Sequence, residues 1–169
     1  ADFRDDKAVL GSSHNVFVGK VLRQQNVAEE SIFPLTRFDV EIIDNIKGNL
    51  DGIVPVEQAG GYKNGVLYIV HSGDVIARSG DTSDYLLRPG LTYLLATRHI
   101  KYEDPYRLIS HPNARKTIDT NRNLTNTQLR SLVANDPRAR QLLATYPNEI
   151  LLDADIYYNN TRNSYQSLS

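Results

Sequence analysis

Residues 38 to 42 alternate in character: Phe38, Val40 and Ile42 are apolar, while Asp39 and Glu41 between them are charged. A period of two puts the apolar set on one face of an extended strand. The strand predicted from it, Thr36 to Ile46, runs into Lys47-Gly48-Asn49-Leu50-Asp51-Gly52. The two glycines of that turn accept positive φ without steric cost. Upstream, Val16, Val18 and Leu22 alternate with Phe17, Gly19 and Val21. Apolar residues on both faces predict a strand of a closed or covered sheet. Downstream, Ile53 to Gln58 reads as a short third strand, with Pro55 placing it at an edge or a bulge. Asn64-Gly65, between Tyr62 and the run Val66 to Val70, is a hairpin signal. A short apolar piece, Val75-Ile76-Ala77, lies between two polar turns. Arg88-Pro89-Gly90 then delivers a buried strand from Leu91 to Thr97, and Tyr106 to Ile109 reads as the last strand. Phe38, Val40, Ile42, Tyr93 and Leu95 are the expected core.

The final third changes character. His111 to Asn126 is rich in Asn, Thr, Arg and Lys and reads as an excursion or linker. Thr125 to Gln128 has the spacing of a capping box and opens a predicted helix with Leu129, Leu132 and Val133 inward. Asp136-Pro137 starts a second, with Asp as cap and Pro in the first helical position, and with Ala139, Leu142 and Leu143 inward. Residues 148 to 158 read as a third short helix or an extended piece, and Asn159 to Ser164 as a frayed end. Helices this short are marginal alone and are expected to pack on the sheet. The predicted fold is therefore mainly β: an OB-like antiparallel closed barrel over about residues 15–110, with two or three short C-terminal helices packed on it over about 124–158. A single domain spanning 1–169 is expected.

Composition narrows the chemistry. Nineteen Lys and Arg face 20 Asp and Glu, a balance that offers no electrostatic footprint for nucleic acid and no polybasic patch for an anionic membrane. No stretch approaches the ~20 apolar residues of a spanning helix, so no membrane insertion by this segment is expected. With no Cys, disulfides, thiolate catalysis and Cys-based metal sites are excluded. There is also no Met, and Ala1-Asp2-Phe3 reads as the start of a mature or trimmed protein whose targeting segment has been removed. An exported protein, secreted or attached to the cell surface, is the expectation.

Several segments together resemble a bacterial group of small secreted proteins with a netrin-like, OB-type barrel, related in fold to the tissue inhibitors of metalloproteinases. They are Val16-Phe17-Val18-Gly19-Lys20-Val21, Phe38 to Ile43 running into Ile46-Lys47-Gly48, the Gly60-Gly61 pair, and Leu87-Arg88-Pro89-Gly90-Leu91-Thr92-Tyr93-Leu94-Leu95. The resemblance covers roughly residues 15–97, about half of the chain. It implies the barrel and, as an alternative function, a secreted inhibitor or regulator of a protease. The inhibitors chelate the protease zinc through an N-terminal Cys; this chain has Ala1 and no Cys, so the inhibitory group does not carry over.

Motifs for catalysis are missing. The four histidines, His14, His71, His99 and His111, form no helical i, i+3 or i, i+4 pair. His71 and Asp74 read as a strand end and its turn cap rather than as ligands. Convergence of His14, His99 and His111 is left open. There is no Gly-x-Ser-x-Gly elbow, no phosphate-binding loop, and the segment Asp153 to Ser164 lacks the glycine and terminal acid of a calcium loop. No catalytic residue, metal or cofactor is expected, although an enzyme built from distant residues is a third possibility. Binding is the expected mode, with a protein or a cell-wall glycan as partner. Tyrosines beside cations on loops suit such contacts. The candidate surface is Tyr62 and Lys63 of the hairpin with Lys101, Tyr102, Tyr106 and Arg107 around the following loop.

Overall fold

The two longest strands, β1 (Asn15–Ala28) and β2 (Leu35–Lys47), pair antiparallel from Val16↔Lys47 to Ala28↔Leu35. The computed structural model describes residues 2–28, 33–71, 73–79, 84–99, 103–151, 156–159 and 164–167. On its other edge β1 pairs with β6 (Thr92–His99), β6 pairs with β7 (Tyr106–Leu108), and β7 meets β3 (Ile53–Lys63). β3 returns to β2, from Glu41↔Ile53 to Leu35↔Gly60, and a five-stranded OB-like barrel is closed. One seam departs from the antiparallel expectation. β3 and β7 run parallel, joined through Val56↔Tyr106 and Glu57↔Arg107.

The apolar faces of β1 explain its double run. Val16, Phe17 and Val18 are all fully buried, so both faces of the strand lie within the core. Phe38, Val40, Tyr93 and Leu95 are buried as expected; each such side chain contributes roughly 1.5–3 kcal/mol on leaving water. Ile42 is only partly buried, and Ile43 takes its place in the core. The pairing shows why: Gly19 faces Ile42 and Val18 faces Asp44, so Ile43 is an extra residue at a β-bulge that turns the alternation over.

β3 is longer than its sequence signal. It continues past Gln58 through Gly60 and Gly61, whose φ values are 101° and 141°, and leaves the barrel as one limb of an arm. The arm's second strand, β4 (Val66–His71), pairs back through Lys63↔Val66, and Asn64 and Gly65 between them both have positive φ. That is the two-residue turn the dipeptide predicted. β5 (Asp74–Ser79) adds to β4 from His71↔Asp74 to Val66↔Ser79 and ends the sheet. The apolar piece Val75-Ile76-Ala77 is thus an edge strand, not core.

The polar stretch after residue 110 is not a linker. A 3-10 turn (Pro112–Ala114) leads into β8 (Arg115–Asp119), which pairs with β6 through Leu95↔Arg115 to Thr92↔Asp119. β7 and β8 therefore share one edge of β6, and β7 is not the last strand.

Three helices pack on the barrel. α1 (Asp6–Ser12), which the sequence reading did not anticipate, is capped by Asp5 and buries Val9 and Leu10. α2 (Asn126–Asn135) has both hydrogen bonds of the predicted capping box, Gln128 N–H to Thr125 Oγ1 at 3.2 Å and Thr125 N–H to Gln128 Oε1 at 2.8 Å. α3 (Pro137–Thr145) is capped by Asp136, whose Oδ2 accepts from Ala139 N–H at 2.9 Å. Leu129, Val133, Ala139 and Leu142 are buried, but Leu132 and Leu143 are exposed. α2 and α3 each bury only two residues, so their flanking leucines fall outside the contact stripe.

A 3-10 turn over Tyr146–Asn148 follows α3, and of the stretch 148–158, read as a third short helix or an extended piece, residues 156–158 are extended. β9 (Ile156–Asn159) and β10 (Ser164–Ser167) form an antiparallel pair; of the end expected to fray, residues 160–163 lie outside the described residues, as do residues 152–155.

Candidate functional site

Four of the six sequence-predicted binding residues are described, and they fall at two separate places on β3 and β7. Tyr62 and Lys63 end β3 at the tip of the arm, where Tyr62 is 47% exposed. Tyr106 and Arg107 are strand residues of β7 and sit opposite Val56 and Glu57. From Val56 to Tyr62 is six residues along β3, on the order of 20 Å of extended chain. Lys101 and Tyr102 lie outside the described residues.

Tyr106 and Arg107 hold the barrel closed. The Tyr106 ring packs on that of His99 at 4.6 Å. Glu57 is 2% exposed and lies between two cations, Arg37 Nε at 2.9 Å and Arg107 Nε at 3.2 Å. Arg107 also meets Glu103 at 3.1 Å. The order Arg37–Glu57–Arg107 follows the strand pairings β2–β3–β7, so opposite charges face one another across both seams.

The histidines converge as two pairs rather than as a triad. His99 N–H donates to His14 Nδ1 at 2.8 Å. His14 is 6% exposed, and burial, with Arg98, Lys47 and His99 nearby, lowers its pKa to about 3. The second pair, His71 and His111, has ring centroids 5.6 Å apart. His111 Nδ1 accepts from Asn113 N–H at 3.1 Å and caps the 3-10 turn. Burial, then the neighbouring His71, lowers the His111 pKa. Among the described residues, no group of three or more His, Asp or Glu is placed to hold a metal ion.

These two residues line a cleft of about 350 Å³ between the arm and the chain from β7 to β8. Its walls are Ile69 and Val70 of β4, Leu108 and Ile109 after β7, and Tyr85. Tyr85 fastens the arm to the barrel: its hydroxyl donates to Ala59 O and accepts from Val70 N–H at 3.3 Å. Burial raises the Tyr85 pKa, which keeps the hydroxyl a donor. Gln58 Nε2 donates to Tyr85 O at 2.7 Å, and Gln58 Oε1 accepts from Leu87 N–H at 3.0 Å.

Arg115 completes the cleft. Its guanidinium donates to Tyr85 O, and to Asp84 O at 3.3 Å, and stands 5.3 Å from the centroid of the Tyr93 ring. Burial lowers its pKa, yet a guanidinium stays charged. The charges beside it are taken: Lys116 Nζ meets Asp136 Oδ1 at 2.7 Å, and the Asp84 carboxylate meets Arg88. Sequence reading passed over this site because Gln58, Tyr85 and Arg115 are remote from one another in the chain and match no motif. Arg115 lies in the stretch read as an excursion or linker, one cation among several polar residues.

Barrel, arm and cleft define a β-barrel protein with an edge strand and a concave cleft outside the barrel. The sequence matches no known family model and no curated protein. Among the described residues, no helix is long and apolar enough to cross a membrane.

Proposed function

We propose that this chain is a non-catalytic binding module, exported from the cell, that docks an extended segment of a protein partner on the edge of its arm. The observation that carries this reading is β5. Among the described residues it ends the sheet, all six of its residues are exposed, and Val75 and Ile76 are each 44% exposed. An open edge offers a row of backbone donors and acceptors to which a peptide strand can add, while alternate side chains supply selectivity. A glycan would use the side chains and leave that row unmet, so the edge favours a protein over a cell-wall glycan. The netrin-like resemblance supports the exported location.

The test uses capture from the source culture with immobilised wild type and two variants. Ile76→Lys alters the edge, and Tyr62→Ala alters the neighbouring tip. Retention of a protein by wild type, with loss at Ile76→Lys and an unchanged melting temperature, is the expected result. A protein held equally by wild type and Ile76→Lys would place recognition elsewhere. Capture of cell-wall glycan alone would favour the other partner class.

A further inference from the structure

From the cleft at the base of the arm we infer a second binding site, specific for a small monocarboxylic acid with an apolar body, whose carboxylate is met by Arg115. The inference does not depend on what docks along β5.

Charge carries the first part of the argument. Among the described residues Arg115 has no carboxylate partner; its bonds go to the carbonyl oxygens of Tyr85 and Asp84 and its face lies on Tyr93. Carbonyl dipoles and a ring face offset a cation only in part, and a half-buried charge gains most from an anion that reaches it. Neighbouring groups do not fill that need. The Asp84 carboxylate supports the Arg115 charge from a distance but is 87% exposed and paired with Arg88, and Asp136 is held by Lys116 and by the α3 cap.

Shape and polarity carry the second part. A volume of about 350 Å³ is within the range of small-molecule sites. Val70, Leu108 and Ile109 are 6–8% exposed and present aliphatic walls. A phosphate or sulfate would leave those walls unused and would want more donors than one guanidinium already bonded to two carbonyls. A single carboxylate on an alkyl or aryl body uses both the walls and the charge. His71 and His111, with ring centroids 5.6 Å apart, add two further polar side chains to the lining.

The test is calorimetric titration of the whole chain with hexanoate, its neutral counterpart 1-hexanol and its cationic counterpart hexylamine. For an acid of about eight heavy atoms a Kd on the order of 1 mM is expected. Hexanol should bind at least about tenfold more weakly, and hexylamine more weakly still. Amide shifts in the ¹H–¹⁵N spectrum on adding hexanoate should centre on Val70, Leu108 and Arg115. Arg115→Gln should remove the preference for acid over alcohol. Because that side chain also ties down residues 84 and 85, Ser110→Phe provides a second variant: it narrows the cleft, leaves Arg115 in place, and should abolish binding of both compounds. Equal affinity for acid and alcohol in wild type would overturn the inference. So would absence of binding at concentrations well above millimolar, shifts centred away from the cleft, or full hexanoate affinity in a folded Ser110→Phe.

Discussion

His14 and His99 meet across the antiparallel pair β1–β6, the backbone N–H of His99 donating to His14 Nδ1 at 2.8 Å. The bond requires His14 to be unprotonated at that nitrogen, and burial is the largest reason its pKa falls to about 3. An unfolded histidine titrates near 6.5. Between those values the unfolded chain binds a proton that the folded chain refuses, so this group's contribution to stability is complete above about pH 6.5. It is lost as pH falls toward 3, by about 1.4 kcal/mol per pH unit at most. His14→Asn keeps an acceptor and removes the titration. Urea midpoints at pH 7.5 and 4.5 should differ less in the variant than in wild type; an equal difference would remove His14 from the acid response.

Gly11 opposes ordinary helix propensity. Alanine in a helix is about 1 kcal/mol better than glycine. Here a Cβ would stand 1.6 Å from Ile150 O, and Ile150 N–H donates to Lys7 O at 2.9 Å. Gly11→Ala should destabilise by about 1–3 kcal/mol by pushing that segment off α1. Denaturant unfolding measures the sign directly.

Lys47 links three parts of the chain. Its ammonium is 2.8 Å from Leu10 O at the end of α1 and 2.7 Å from Glu149 Oε2, and the residue is 7% exposed. Burial lowers its pKa while Glu149 supports the charged form. A double-mutant cycle of Lys47→Met with Glu149→Gln should return a coupling energy of about 1–3 kcal/mol. A coupling near zero would reduce the contact to a surface pair.

Loss of the α2 capping box should be modest and local. Thr125→Ala removes the acceptor for Gln128 N–H and should cost about 1 kcal/mol, a fall in Tm of about 2–4 °C. Thermal unfolding followed by circular dichroism reads it.

What the sequence made legible was what neighbouring residues decide among themselves. The box at Thr125–Gln128, the Asp136 cap and the Asn64-Gly65 turn are each settled within four residues, and each is present as expected. The alternation in β2 held only as far as the bulge at Ile43, which depends on β1 lying alongside. Tyr106 and Arg107 read as the start of a strand and also as part of a binding surface around the preceding loop; their neighbours in space, His99 and Glu57, come from other strands. The Gly60-Gly61 pair was visible, its purpose was not. A Cβ at Gly61 would stand 2.2 Å from Thr36 Oγ1, and one at Gly60 2.3 Å from Tyr68 O. Those contacts exist only once β2 and β4 have come to either side of β3.

The parallel seam sets the order in which the barrel can form and reopen. Two residue pairs, Val56↔Tyr106 and Glu57↔Arg107, join segments 50 positions apart in the chain, whereas β1 and β2 pair over many residues across a short connection. Loop-closure entropy therefore favours the β1–β2 hairpin as an early nucleus and leaves the β3–β7 contact to be made late. The same thinness makes it the first place to part under native conditions. Amide protons of residues 106–108 should exchange with solvent through small openings that leave β1 and β2 protected, and the Arg37–Glu57–Arg107 line of charge acts as a latch on that opening.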